Sequence, residues 1–198
     1  MVNDRPADSF TAARRAMIDS QLRVSGVNEE SVLTAINSVA REAHVPAAAQ
    51  ALAYIDRSVP LGDGRFLAPP LFYGRMLTEA VPHAQDKVLI VDGGSGYLPA
   101  LLARFTTASV DVIDPAAATA AGTGAYTLLL IDGAIEELPA GLSARLADNA
   151  RIVTGIVERG VTRLAAGRKA AGEVVLLTLA EMGIPELPEF AKPKRWSF

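Results

Sequence analysis

Residues 87–105 read KVLIVDGGSGYLPALLARF, and this stretch limits the possible folds most sharply. Its opening KVLIV is a short apolar run, as expected for a strand buried on both faces of a parallel sheet. Gly93, Gly94 and Gly96 follow at once, and then an apolar helical stretch. Strand, glycine turn and helix together open a layered α/β unit and offer a way to hold a nucleotide-like cofactor. The pattern then repeats. SVDVID, YTLLLID, ARIVTGIV and GEVVLLTLAEM read as further strands, LPAGLSARLADN as a helix, and VTRLAAGRKA fits either. This alternation implies a mostly parallel sheet, with EVVLLTL able to pair antiparallel at an edge. The alanine-rich PAAATAAGTGA between two of the strands reads as a connection.

The first sixty residues have the other periodicity. Ser9 can cap a helix that places Phe10, Ala13 and Met17 on one face and reaches Leu22. Asn28 can cap a second, with Glu29 and Glu30 in the first turn, where the helix dipole favours negative charge. Pro46 can open a third over PAAAQALAY. VPLGDGRFLAPP is rich in glycine and proline, hence loop or short edge strand, and LFYGRMLTEAVP is another helix. The chain of 198 residues is expected to form one domain: an N-terminal helical segment (1–62), a loop-and-helix region (63–86) and an α/β core (87–198).

Composition removes several functions. The formal charge of −3 and pI near 5.4 come without a long basic run, so no nucleic-acid partner is expected. Lys192, Lys194 and Arg195, broken by Pro193, read as a solvated tail, and Trp196 and Phe198 beyond them as an aromatic end that packs on its own domain or on a neighbour. Without cysteine there is no disulfide, thiolate metal site or cysteine nucleophile, and two histidines make a histidine metal centre a poor expectation. No apolar run reaches membrane-spanning length, so no membrane partner is expected, and a cytoplasmic location fits.

In an open α/β sheet, ligands bind beyond the carboxyl ends of the strands. The glycine turn, Asp92 to Tyr97, stands at one such end, and Asp114 ends the next strand, where an acid can accept hydrogen bonds from ribose hydroxyls. The alternative is a tight turn for its own sake, with Asp114 capping a helix before Pro115. Asp132 ends the YTLLLI strand and faces the same cleft, either as a substrate contact or as a helix cap.

Further residues carry a resemblance. Gln21-Leu22-Arg23, Arg41 to Pro46 with His44 in an aromatic position, Ala53 to Gly62, and KVLIVDGGSGYLPALLA are together similar to the protein-L-isoaspartate O-methyltransferases, over about residues 12 to 160. The resemblance implies an S-adenosylmethionine-dependent methyltransferase-like, Rossmann-like sheet. It also implies methylation of isoaspartyl carboxylates in damaged proteins. It places the cofactor at Asp92, Gly93, Gly94, Ser95, Gly96, Tyr97 and Asp114.

Three departures set this chain apart from that pattern. The family's loop, roughly G-x-T-I-S-x-P, has a serine tied to catalysis; here Ala68 takes that place and Phe66 the threonine's, and no hydroxyl lies between Gly64 and Pro70. At the glycine turn, Ile90 falls on the family glutamate and Asp92 on the first glycine. Alternatively, a two-residue shift makes Asp92 the acid. The unshifted register keeps Ser95, Gly96 and Tyr97 matched. Only eleven residues separate Asp114 from Tyr126, where a helix, a strand and the adenine-side acid would otherwise stand. The expectation is a shortened member, with a catalytically inactive protein that binds a protein or another ligand as the alternative. A shortened sheet leaves an edge that a second copy could cover, giving a homodimer. His44 reads as a satisfied, partly buried histidine, Glu136 and Glu137 as first-turn charges, and Asp56 with Arg57 as an ion pair or loop anchor.

Overall fold

In the computed structural model, residues 5–108 and 110–192 are described. Trp196, Phe198 and the basic residues Lys194 and Arg195 lie outside them. The order is α1 (Arg5–Met17), α2 (Glu30–Ser38), β1 (Val59–Gly62), β2 (Arg65–Leu67), α3 (Pro70–Ala80), β3 (Val88–Val91) and α4 (Tyr97–Leu102), continuing with β4 (Val110–Ile113), α5 (Pro115–Thr119), β5 (Tyr126–Ile135), α6 (Ala140–Ala144), β6 (Leu146–Glu158), β7 (Val161–Ala170) and β8 (Glu173–Glu181). The main sheet runs β4-β3-β5-β6-β7-β8. Strands β4, β3, β5 and β6 are parallel, and β7 and β8 are added antiparallel. The mostly parallel sheet with an antiparallel edge is therefore as the sequence implies.

All four residues of β3 are buried, between β4 and β5. Strand alternation divides them between two cores. Val88 and Ile90 join a large core in which Leu22, Ile36, Phe72, Leu101 and Leu130 bind the N-terminal segment to the sheet. Leu89 and Val91 join a smaller one with Ala118 of α5, Leu142 of α6, Leu187 and Phe190. A helical layer thus lies on each face of the parallel strands, as such strands require.

Several local expectations are corrected. The first helix begins at Arg5, so Ser9 lies inside it and does not cap it. Beyond Met17 it loosens into a π-helical turn, Ile18–Leu22. The N-cap of α2 is Glu29, with no side-chain cap; its carboxylate accepts the Asn28 amide (3.3 Å) and the Thr78 hydroxyl (2.8 Å), and Asn28 does not cap. After Pro46 the chain makes a 3₁₀ helix, Ala47–Leu52. VPLGDGRFLAPP contains the antiparallel pair β1–β2, joined at Asp63 and Gly64, both with positive φ (49° and 73°). An Asp-Gly pair is the common sequence for such a turn.

LPAGLSARLADN is helical only over Ala140–Ala144, and its second half already belongs to β6. VTRLAAGRKA is strand β7. Two tight hairpins explain it: Arg159-Gly160 and Ala171-Gly172 all adopt positive φ, so β6, β7 and β8 form a meander with no helix between them. The Asp114–Tyr126 connection holds only the short α5, and β4 is the edge of the described sheet. Asp56 and Arg57 are exposed and not ion-paired with each other. Among the described residues no helix is long and apolar enough to cross a membrane.

Candidate active site

At the carboxyl end of β3 the chain turns sharply because of glycine. A Cβ at Gly93 would lie 2.5 Å from the backbone oxygen of Asp132, so β3 and β5 approach closely only without one. Gly94 and Gly96 have φ of +107° and +65°, a region that L side chains avoid. The Asp92 carboxylate accepts the amides of Gly94 (3.0 Å) and Gly96 (3.1 Å), which lead into α4. Asp92 therefore stands where a glycine was aligned, yet its own carboxylate orders the turn. Ser95 Oγ accepts the Tyr97 amide (3.1 Å), and the Ser95 carbonyl accepts from His44 Nδ1 (2.9 Å). His44 thus pins the turn from the N-terminal segment, a structural role.

Beneath the turn lies a buried polar group. Arg41 is fully buried; its Nε donates to the Ala53 carbonyl (2.6 Å) and its Nη2 to the Ala68 carbonyl, and it lies over the rings of Tyr97 and Tyr73 (5.1 and 5.5 Å). Tyr97 is 1% exposed and packs edge-on against Tyr73, so its ring faces the core and not the cleft. Asp132 is 3% exposed. Its carboxyl is pushed up to about 7, first by burial and then by the charge of Asp92, against the opposing influence of Tyr73 and Arg41. Burial, followed by the Asp132 charge, holds the Tyr73 phenol well above its ordinary value. The phenol faces Asp132, but the contact falls short of a formed hydrogen bond: Tyr73 Oη, Asp132 Oδ1 and Arg41 Nη1 all lack a partner. Asp132 caps no helix, since α6 begins eight residues later. Ala68 is also buried, its carbonyl held by Arg41 and its methyl in the large core.

Above the turn is an open cleft of about 310 Å³ lined by Arg65, Asp92, Gly94, Val112, Ile113, Asp114 and Pro115. Asp114 caps α5, with Oδ1 accepting the Ala117 amide (2.7 Å), and also borders the cleft. The structure thus gathers Asp92, Gly94 and Asp114 around one cleft. It buries Gly93, Tyr97 and Asp132 beneath it, with Ser95 and Gly96 half-buried between. Arg65 and Glu189 were not legible as site residues. Arg65 extends from the β1–β2 hairpin over Gly94, whose Cβ would lie 3.6 Å from Arg65 Cγ. Its two Nη atoms bind both oxygens of Glu189, the Nη1–Oε2 contact at 3.2 Å. These residues stand 124 apart in sequence, so only the fold brings them together.

A glycine turn after one parallel strand and an acid after its neighbour, around a cleft beyond the strand ends, define a class: a Rossmann-like open α/β sheet built to hold a nucleotide-like ligand. The family model for protein-L-isoaspartate(D-aspartate) O-methyltransferase matches residues 12–116. A protein-L-isoaspartate O-methyltransferase of Koribacter versatilis is 31% identical, with 83% of this chain and 86% of that protein covered. One from Methanoculleus marisnigri is 27% identical, with 87% and 90% covered. Among solved structures, a beta-aspartate methyltransferase from Plasmodium falciparum in complex with S-adenosyl-L-homocysteine superposes with a TM-score of 0.69 at 16% identity, covering 90% of this chain and 97% of that one. Another protein-L-isoaspartate O-methyltransferase structure gives 0.70 at 14% identity, with 88% and 65% covered. The chain belongs to the protein-L-isoaspartate(D-aspartate) O-methyltransferase family.

Proposed function

We propose that this protein binds S-adenosylmethionine in the cleft above the glycine turn and takes isoaspartyl-containing proteins or peptides as its methyl acceptors. The observation that carries this reading is the 310 Å³ cleft between Gly94 and Asp114. The residues fit the nucleoside end of such a cofactor. Asp114 is exposed and spends one oxygen, Oδ1, on its helix cap, with Oδ2 available to a ribose hydroxyl. Val112 adds an exposed apolar wall, and Gly94 presents bare backbone. When bound, the cofactor supplies a methyl group on a sulfonium, and transfer to a carboxylate is mainly a matter of positioning.

The chain's own residues perform part of that work. Asp92 holds the turn in its binding shape before any ligand arrives. His44 and Arg41 brace the turn and the loop around Ala68 against each other. What the loop lacks is a hydroxyl to orient the acceptor. Methyl transfer is accordingly slow, and a second reading, binding without turnover, is favoured by the buried Ala68 methyl. Ala68→Ser alone is expected not to restore transfer, because a hydroxyl there would enter the core beside Arg41 and not the cleft. Methylation of an isoaspartyl peptide rising tenfold or more in that variant would overturn this.

The assignment of residues 1–198 to one domain is supported by the large core, which mixes residues from all three stretches. A cytoplasmic setting is supported by the cysteine-free composition. Titration calorimetry with S-adenosylhomocysteine, followed by a methyl-transfer assay on an isoaspartyl peptide, tests the reading. Micromolar binding with slow transfer is expected. No heat and no thermal shift at millimolar ligand would sink it.

A further inference from the structure

Around the cleft the charges are acidic except at one point. Asp92 and Asp114 line it, and Arg65 is the one cation among its lining residues. An acceptor carboxylate approaching the rim of this cleft meets that single cation, Arg65. The guanidinium is a planar fork that matches a carboxylate with two parallel hydrogen bonds. It stands beside Gly94 of the turn assigned above to the cofactor.

The fork is already filled, and by a peptide of the same chain. After β8 the chain returns across the end of β5 in extended form: Ala134 N donates to Pro185 O (2.7 Å) and Leu187 N to Ala134 O (2.9 Å), a parallel bridge centred on Glu186. Leu187 packs onto Gly133, where a Cβ would come within 2.6 Å of Leu187 Cγ. Two residues on, Glu189 presents its carboxylate to Arg65 in bidentate fashion. The extended stretch ends at Leu187, and one 3₁₀ turn, Pro188–Phe190, carries Glu189 to Arg65.

We propose that Arg65 is the acceptor-carboxylate site of this protein and that the segment Pro185–Glu189 is its built-in occupant, with an external acidic peptide competing for the same fork. The proposal rests on the reading that the acceptor approaches the cleft above the glycine turn. It supplies through Arg65 the carboxylate recognition that the loop has no hydroxyl to give. It also makes the C-terminal segment self-inhibitory, since a tethered carboxylate acts at an effective concentration in about the millimolar range.

The test measures binding and needs no turnover. A fluorescein-labelled isoaspartyl hexapeptide is titrated by anisotropy, without cofactor, into the full chain and into Glu189→Gln, Arg65→Gln and the double variant. A control peptide carries asparagine in place of isoaspartate. Melting curves establish that each variant is folded. Glu189→Gln keeps the shape of the side chain but removes its charge, and is expected to bind the isoaspartyl peptide about tenfold more tightly than the unaltered chain. The gain should vanish in the double variant and be absent for the asparagine peptide. Equal affinity of Glu189→Gln and the unaltered chain, a gain that survives Arg65→Gln, or an equal gain for the control peptide would each overturn the proposal. Titrating the same variants with S-adenosylhomocysteine separates the two readings. Loss of cofactor binding with the peptide gain intact removes only the cofactor assignment, and the reverse removes only the role of Arg65.

Discussion

The sheet has two halves made from similar material and treated very differently. In the parallel half, VLIV of β3 and LLLI of β5 are 0–1% exposed. In the antiparallel half, β8 also carries an almost unbroken apolar run, VVLLTLA, yet Val175, Leu177 and Leu179 are 57, 67 and 43% exposed. What separates the two is the connections. The crossovers of the parallel half bring α4, α5 and α6 back over the sheet, whereas the two tight hairpins of the meander bring nothing. An apolar run therefore states that a strand forms, and the connections decide how much of it is covered. The site belongs to the half with crossovers, where parallel strands run through turns into helices and the cleft opens beyond their ends.

The strongest way to break the parallel half is at its tightest point. Gly93→Ala puts a methyl against the Asp132 backbone, which has no room to yield. A loss of about 3–5 kcal/mol is expected, read from the denaturation midpoint. Close behind is the direct contrast. Leu130→Ala in β5 should cost about 3 kcal/mol, as a fully buried truncation does, and a loss under about 1 kcal/mol would show that the parallel half is no better packed than the ribbon.

The third test concerns Asp132. Its folded-state pKa near 7 lies above the ordinary value of 3.8, so from about pH 4 to 7 the native chain keeps a proton that the unfolded chain has lost. Stability then falls as pH rises through that window and levels off above it. The groups facing Asp132 are Asp92, Tyr73 and Arg41. Asp132→Asn should flatten this slope and gain about 2 kcal/mol at pH 8, with little change near pH 4. A slope unaltered by the substitution would place the titration elsewhere. The smallest expected effect is in the ribbon: Leu177→Lys should change stability by under about 0.5 kcal/mol. A clearly larger loss would show that the exposed stripe on β8 is packed after all.

Much of the parallel half was legible because burial on both faces demands an unmistakable composition. KVLIV followed by glycines leaves little choice of structure. The meander was less so: β7 carries Arg163, Arg168 and Lys169 among alanines, and its periodicity fits strand and helix alike. The signals that would have resolved it, Arg-Gly and Ala-Gly at the hairpin ends, are weak turn sequences.

At the site, the glycine turn and Asp114 were visible as local patterns. The work of Asp92 was not, because an alignment assigns a position, whereas the carboxylate reaches amides two and four residues further on. Tyr97 matched a motif, but the direction of its ring depends on Arg41 and Tyr73, which are distant in sequence. Arg65 and Glu189 gave no local signal at all.

The tight hairpins of the meander also bear on the order in which the chain acquires its structure. Each β6–β7 and β7–β8 pairing closes a loop of a few residues, and such ribbons zip in microseconds. The central strand β3 has no such help: Val88 pairs with Val110 on one side and with Leu128 on the other, and those long closures are entropically expensive early on. The ribbon should thus gain protection first in a refolding experiment read by pulsed hydrogen exchange, with its apolar stripe uncovered while the parallel strands are still assembling. In a crowded solution that interval is when the chain is most exposed to its neighbours, and the cleft, built from the slow half, would be the last part to appear.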